Sequence, residues 1–186
     1  MTIVDIFNKA LALLPHDTRV ESVDDDSTEA LRCRDHWDDA RRSVLTSYNW
    51  GWATESYNAQ GCESPHHLKQ YAYIRPNALK FIGVFNHEGR RTKCDIVNGR
   101  ILTTEPIVEV RVIEDREDID DWPLWFADAV IGELASRIAL PITGNKKTSD
   151  AMFQLANMRL ANAKMIDSSE VAWSGTDGKT FVKARR

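Results

Sequence analysis

The spacing of hydrophobic side chains changes twice along the chain, and this change most constrains the fold. Apolar residues recur every three or four positions, as on one face of an α-helix, over residues 3–14 and again over 30–48. Between about residues 71 and 114 they alternate every second position and are rich in Ile, Val, Tyr and Phe, which is typical of β-strands. Helical spacing returns after residue 120. The pattern predicts helices on both sides of an antiparallel sheet.

Capping residues indicate where the helices begin and end. Thr2 is placed to cap the first helix. Asp26, with Glu29 three positions later, resembles a capping box at the start of the second helix. Pro141 and Gly144 are expected to end the third helix.

The middle segment predicts a small antiparallel sheet. Asn98 and Gly99 stand between two apolar runs, which is the strongest short signal for a β-hairpin. In the last strand, Val108, Val110 and Val112 are expected on one face because side chains alternate along a strand. Glu109, Arg111 and Ile113 are expected on the other face.

Together these patterns predict a mainly α (α+β) fold. We expect an antiparallel bundle of about four helices with a small antiparallel β insertion between helices two and three. The bundle is expected to comprise residues 1–52 and 120–167, and the insertion about residues 68–115. These parts would form one domain, residues 1–167.

The end of the chain follows a fourth helix expected over about residues 148–166. Residues 168–186 show neither helical nor strand spacing, so they are predicted to be an extended C-terminal tail that becomes ordered against a partner. Isolated aromatic side chains and a concentration of cations suit this tail to anchor on another protein. The candidate interface residues are Trp173, Lys179, Phe181, Lys183, Arg185 and Arg186.

The charge balance argues against a protein that grips nucleic acid. The net charge is −4 and the sequence pI is about 5.7, so the chain lacks the positive footprint of such a protein. Acidic residues cluster before the second and third helices, at Asp24, Asp25, Asp26, Glu117, Asp118, Asp120 and Asp121. No apolar run approaches the ~20 residues that a membrane span needs. Three cysteines are too few for a disulfide framework and favour a reducing compartment such as a cytosol.

No catalytic, cofactor or metal site is predicted. Cys33 and His36 have a spacing that zinc sites use, and Cys62, His66 and His67 offer further ligands, but the second group lacks the usual zinc spacing. Cys33 also lies on the apolar stripe of its helix, where a free cysteine packs as a small hydrophobe. Neither a G-x-S-x-G frame nor a phosphate-binding glycine loop is present, so we expect no enzyme activity and no cofactor.

Two arginine pairs and two alternative functions stay open. Arg41 with Arg42, and Arg90 with Arg91, could contact phosphates, although pairing with carboxylates of this chain or of a neighbouring subunit is favoured. The first alternative is a small nucleic-acid-binding module, which the net charge disfavours. The second is a small hydrolase, which the absence of a catalytic frame disfavours.

The order of features resembles a family of bacteriophage proteins. The stretches that carry the resemblance are "DDDSTEA", "RRSVLTSYNWGWA" and "GRILTTEP" followed by "RVIED", within a match from about Ile3 to Asp167. They resemble the head-to-tail adaptors of short-tailed bacteriophages, also called the tail tubular protein A, gatekeeper or stabilisation family. The chain departs from the commonest family pattern at "DDWPLW", where an Asp-Pro pair often opens the third helix.

The resemblance implies a structural virion protein of the head–tail junction, assembled in the host cytoplasm. About twelve copies would form a ring beneath the portal, extend the DNA channel and receive the tail nozzle and the fibres or spikes. The implied partners are the portal protein, a nozzle similar to tail tubular protein B, fibre or spike proteins, other copies of the chain, and DNA that passes without specific binding. No membrane partner is implied. Under this resemblance, the acidic candidates are expected at the channel or a subunit seam, and the tail on the portal or an adjacent copy.

Overall fold

The computed structural model describes residues 1–15, 18–62 and 71–174, with side chains described as far as Glu170. The chain forms two compact units, one of Met1–Gly51 with Arg116–Arg186 and one of Trp52–Asp115. The helices are α1 (Ile3–Leu11), α2 (Thr28–Thr46), α3 (Leu124–Thr143) and α4 (Lys146–Ser174), with a short 3-10 helix at Ile119–Asp121. The strands are β1 (Thr54–Asn58), β2 (Gly61–Cys62), β3 (Tyr71–Ile74), β4 (Lys80–Phe85), β5 (Arg91–Thr92), β6 (Cys94–Val97), β7 (Arg100–Thr103) and β8 (Glu109–Ile113).

The prediction of a mainly α bundle with a small β insertion is wrong. Four helices are described, but eight strands form two four-stranded antiparallel sheets, so the protein is not a pure helical bundle. The strands also begin at Thr54, well before the predicted insertion. The sequence "TESYN" of β1 shows no apolar alternation, and it is a strand because it pairs along its whole length with β8.

The two sheets continue into each other at both edges. Their strand orders are β1-β8-β4-β5 and β2-β3-β7-β6. Only Ala59 and Gln60 separate β1 from β2, and only Lys93 separates β5 from β6, so each pair of edge strands is one bent strand. Pairing continues through the first bend, where Ala59 N donates to Val108 O at 2.8 Å and Ile74 N donates to Gln60 O at 3.0 Å. The buried core of this unit is Tyr73, Val84, Ile101, Ile107, Val110 and Val112.

The predicted hairpin at Asn98 and Gly99 is confirmed. Val97 pairs with Arg100 across the turn, and the two turn residues have φ values of 48° and 72°. Positive φ at both central residues is the conformation that an Asn-Gly pair favours in a tight hairpin.

The predicted burial pattern of β8 is confirmed only in part. Val110 and Val112 are buried, as expected for one face of the strand. Val108 is 48% exposed because it precedes the strand, so it does not share the buried position of the other two valines. Ile113, on the opposite face, is buried as well.

The helix starts follow local capping. Thr2 caps α1 as predicted, and the Thr2 hydroxyl and the Asp5 carboxylate accept hydrogen bonds from each other's backbone N–H groups. The predicted start of α2 at Asp26 is wrong by one residue. Ser27 is the cap, and its hydroxyl accepts a hydrogen bond from Ala30 N at 3.3 Å.

Helix α3 extends further than its sequence suggests. Pro141 lies inside the last turn, and Gly144, at φ 63°, ends the helix as predicted. Leu124 has an exposed fraction of 83%. It is the first residue of the helix, whereas the buried side begins with Phe126 and Ala127.

Helix α4 is longer than predicted and packs closely on α3. It runs to Ser174, so residues 168–174 of the predicted extended tail are helical, and residues 175–186 lie outside the described residues. At the contact with α3, a Cβ added at Gly132 would lie 3.3 Å from the Cα of Ala156. An ion pair of 2.8 Å between Arg159 and Asp128 also joins these two helices.

Candidate assembly surfaces

The first acidic cluster forms the loop that leads into α2. The Asp24 carboxylate is almost fully exposed and lies 4.0 Å from the guanidinium of Arg34. Asp25 accepts a hydrogen bond from Ser27 N at 2.9 Å, and this backbone N–H lowers the pKa of the Asp25 carboxyl. Asp26 is exposed. This cluster therefore both positions the helix start and presents negative charge to solvent.

The second acidic cluster surrounds the short 3-10 helix. Glu117 lies 3.5 Å from the guanidinium of Arg41, and Asp118 caps the short helix by accepting from Asp120 N at 3.0 Å. The Asp120 carboxylate lies 3.4 Å from the N-terminal amino group, and Asp121 is exposed. In the described part of the chain, no hydrogen bond or ion pair joins the first acidic cluster to the second.

Arg41 is a buried charge that the sequence did not reveal. It is 1% exposed, and its guanidinium lies 3.3 Å from Asp38 and 3.5 Å from Glu117. Arg90 lies 3.0 Å from Glu88, so the favoured pairing of these two arginines with the chain's own carboxylates is confirmed. Position 41 lies four residues after Trp37 and therefore on the apolar stripe of α2. Its charge, however, is typical of a surface residue.

An aromatic cluster fills the core of the helical unit. Trp50 is fully buried, and its ring centroid lies 5.1 to 5.6 Å from those of Tyr48, Trp125 and Phe126. Its indole N–H donates to Val44 O at 2.9 Å, which closes the turn after α2. Trp50 is therefore a central packing residue of this unit.

Helix α4 forms hydrogen bonds with the residues that follow α2. Both carboxylate oxygens of Asp167, which is 2% exposed, accept from Gly51 N at 3.1 Å. One residue further, the Ser168 hydroxyl lies 2.7 Å from the Tyr48 hydroxyl. No sequence pattern indicates these contacts, because they join residues more than a hundred positions apart.

One face of the β1-β8-β4-β5 sheet carries a charged network. Arg111 donates to both oxygens of Glu109 at 2.6 and 3.2 Å, and Ser56 donates to the same carboxylate at 2.7 Å. The guanidinium carbon of Arg111 also lies 4.1 Å from the centroid of the Phe85 ring. The hydrogen bonds from Arg111 and then from Ser56 lower the pKa of Glu109.

This lowered pKa predicts a pH-dependent contribution to stability. Because the folded protein favours the ionised Glu109, its contribution is present above the unfolded pKa and is lost as pH falls through the folded value. The ordinary value is 4.5. We expect the difference in unfolding free energy between the wild type and Glu109→Gln to shrink as pH falls from 7 through this region, in chemical denaturation series. Glu105→Gln, an exposed control on the same unit, should show no such trend. A Glu109→Gln difference that is constant down to about pH 3 would contradict the assignment.

The candidate metal ligands do not come together in the described residues. Cys33 is fully buried, and burial raises the pKa of its thiol to about 12, so the thiol stays protonated. Cys62 is a free thiol, while His66 and His67 lie outside the described residues. Among the residues that the structure describes, no three His, Cys, Asp or Glu side chains are arranged to hold a metal ion.

The predicted tail residues fall largely beyond the structural description. Trp173 lies in the last turn of α4, but its side chain is outside the described part. The others, also outside it, are Lys179, Phe181, Lys183, Arg185 and Arg186.

Helix α4 exposes large apolar side chains that the hydrophobic spacing does not mark. Phe153, Met158 and Met165 are 62%, 66% and 66% exposed. Met158 and Met165, seven positions apart, share one face of the helix at ~100° per residue, and such a face suits contact with another protein, whereas Phe153 lies about 140° away around the helix axis.

Comparison with protein-family models and with curated proteins finds no match to this chain. Within the described residues, no helix is both long and apolar enough to span a membrane.

Proposed function

We propose that this chain is a structural virion protein, a head-to-tail adaptor that assembles as a ring beneath the portal. The ring extends the DNA channel and provides the attachment site for the tail nozzle and the fibres or spikes. The stretches that carry the resemblance also build the fold of both units. "DDDSTEA" leads into α2, "RRSVLTSYNWGWA" contains the buried Arg41 and Trp50, and "GRILTTEP" and "RVIED" contribute to β7 and β8.

The observation that carries the proposal is the exposure of large apolar side chains on both units. Leu124 and Phe153 on the helical unit are 83% and 62% exposed, and Ile74 on the sheet unit is 54% exposed. Such side chains lose contact with water when a partner covers them, which favours a protein that works in an assembly. No bond needs to be made or broken in this role.

The distribution of charge supports a place beside DNA that must slide. Residues 1–51 contain six basic and ten acidic residues, whereas residues 52–115 and 116–186 are each balanced, so the net charge of −4 belongs to the first segment. Lys and Arg bind phosphates tightly, and an acidic wall avoids this retention. We therefore place the two acidic clusters at the channel or at a seam between copies. The nucleic-acid-binding alternative gains little support, since Arg41 and Arg90 pair with carboxylates.

The cationic end of the chain is proposed to dock on the portal or on an adjacent copy. Residues 175–186 contain four basic residues and one acidic residue, with Phe181 as an aromatic anchor. A deletion that tests this role should begin after Ser174. An earlier end at Asp167 would remove the Ser168 contact with Tyr48 and disturb the fold itself.

The proposal is tested by mixing the purified chain with portal rings of the phage that encodes it and imaging the product. We expect added density beneath the portal with about twelve repeats around the axis. The chain lacking residues 175–186 should melt within about 2 °C of the full chain but fail to join the portal. Portal rings that stay bare with the full chain would contradict the adaptor function, and normal joining by the shortened chain would contradict the role of the tail alone.

A further inference from the structure

Helix α4 carries an exposed stripe with the spacing of a coiled-coil seam. Six residues alternate at steps of three and four positions, and all six are exposed and uncharged. They are Ala151, Gln154, Met158, Ala161, Met165 and Ser168. A repeat of this kind places its members in one line along a helix, facing a partner helix. We call these six residues the α4 stripe.

The opposite side of α4 is already occupied. Ala156 and Ala163 are 4% and 0% exposed, and the close approach at Gly132 fixes α4 against α3. The helix is therefore held in place by one face while the α4 stripe stays exposed, with only its last residue, Ser168, in contact with another described element through the Tyr48 hydroxyl. A held helix needs little further ordering before it can bind, which lowers the entropic cost of association.

The charges beside the α4 stripe select one kind of occupant. Asp150, Asn157 and Lys164 each precede one stripe residue and so lie along the same flank. Asp150 lies seven residues before Asn157, and Lys164 lies seven residues after it. Neither makes an ion pair with a described residue, although the Lys164 ammonium lies 6.0 Å from the centroid of the Tyr48 ring. The other flank is uncharged, with Leu155, Asn162 and Ser169.

We propose that the α4 stripe binds the same stripe of a second copy, with the two helices antiparallel about a two-fold axis near Asn157 and Met158. In this arrangement, Asp150 of one copy lies beside Lys164 of the other, and the symmetry makes this contact twice. Asn157 meets its own equivalent at the centre, where an amide can both donate and accept. In a parallel pair, the charged flank of one helix would face the uncharged flank of the other. Asp150 and Lys164 would then both lie beside uncharged residues.

The proposed pairing is a property of the free protein and does not rest on the adaptor function. A two-fold contact uses the same surface on both copies and closes on itself, so it does not extend into a ring. The stripe is about 26 Å long at 1.5 Å per residue, and its side chains are small or flexible. We therefore expect a weak dimer, with a dissociation constant on the order of 10 µM.

The first test measures the mass of the full-length chain by sedimentation velocity from about 1 to about 200 µM, without any other phage component. The weight-average mass should rise with concentration from 21.2 kDa towards twice that value. Met158→Glu places a carboxylate in the dry seam and should abolish the rise. Leu124→Glu, at a still more exposed apolar position outside the stripe, should leave it unchanged.

The second test uses charge reversal to fix the orientation. Asp150→Lys and Lys164→Glu should each place like charges together at both ends and raise the dissociation constant about tenfold. The double variant restores opposite charges and should return the constant to within about threefold of the wild type. Circular dichroism melts of each variant check that the helical unit remains folded.

Two results of the sedimentation test would overturn the proposal. One is a constant mass across the whole concentration range, and the other is a Met158→Glu protein that still dimerises. Single reversals that weaken the dimer without recovery in the double variant would overturn the antiparallel arrangement. None of these results depends on portal binding, so a failure here leaves the adaptor proposal untouched.

Discussion

Replacing Trp50 by alanine is expected to lower the free energy of unfolding by about 3–5 kcal/mol. Trp50 is fully buried, and its ring contacts Tyr48, Trp125 and Phe126. The substitution would leave a cavity where the turn after α2 meets the start of α3. It would also remove the indole N–H that donates to Val44 O. Urea denaturation followed by circular dichroism would measure the loss.

A matched variant separates packing from hydrogen bonding at this position. Trp50→Phe keeps an aromatic ring but cannot donate to Val44 O, so we expect a smaller loss of about 1–2 kcal/mol. Tryptophan fluorescence is unsuited to this comparison because the substitution removes a reporter. A Trp50→Ala protein within about 1 kcal/mol of the wild type would show that the aromatic cluster is not the main core of the helical unit.

The second large effect is expected at Arg41, where alanine should cost about 2–4 kcal/mol. The side chain is 1% exposed, and its guanidinium joins α2 to the acidic segment at Glu117. Its partners Asp38 and Glu117 are 64% and 72% exposed, so they stay hydrated when the arginine is removed. The expected loss therefore comes mainly from the vacated volume and the lost hydrogen bonds, with little from charge attraction.

Two further variants test this explanation by equilibrium denaturation. Arg41→Met fills most of the volume without a charge and should recover at least half of the loss. Arg32→Ala, at an exposed position of the same helix, should change stability by less than about 0.5 kcal/mol. Equal losses for Arg32→Ala and Arg41→Ala would contradict a special role for the buried guanidinium.

Local features were predictable because the residues that determine them are neighbours in the sequence. The hairpin at Asn98 and Gly99 depends on the positive φ angles of two adjacent residues. The cap at Thr2 depends on a residue three positions away. The buried stripe of α2 was found by spacing, and Ala30 and Cys33 are indeed fully buried.

Features that depend on distant residues were missed. Strand β1 has a polar sequence, and only its pairing with β8 makes it a strand. Arg41 is charged, and one of the partners that accompany its burial, Glu117, lies 76 positions away in the sequence. The Asp167 contact with Gly51 also joins distant parts of the chain. Sequence spacing shows which face of an element is apolar, but not which element will cover it.

The same distinction applies to the candidate surfaces. The acidic clusters were visible in the sequence, and the structure shows that several of their members also cap helices or pair with cations. The sequence does not mark the α4 stripe, because alanine, glutamine, methionine and serine form no obvious apolar pattern. The stripe is defined by its exposure, since α3 fills the opposite face of the helix.

The register between the first and last strands of the sheet unit has an evolutionary consequence. Thr54 lies directly opposite Ile113, so the polypeptide enters and leaves this unit through neighbouring positions. A unit whose two ends are adjacent can be replaced by a longer or a shorter one, because the helices before and after it are then still joined across a short distance. Lineages descended from a common ancestor could thus diversify residues 52–115 while inheriting the helices with few changes.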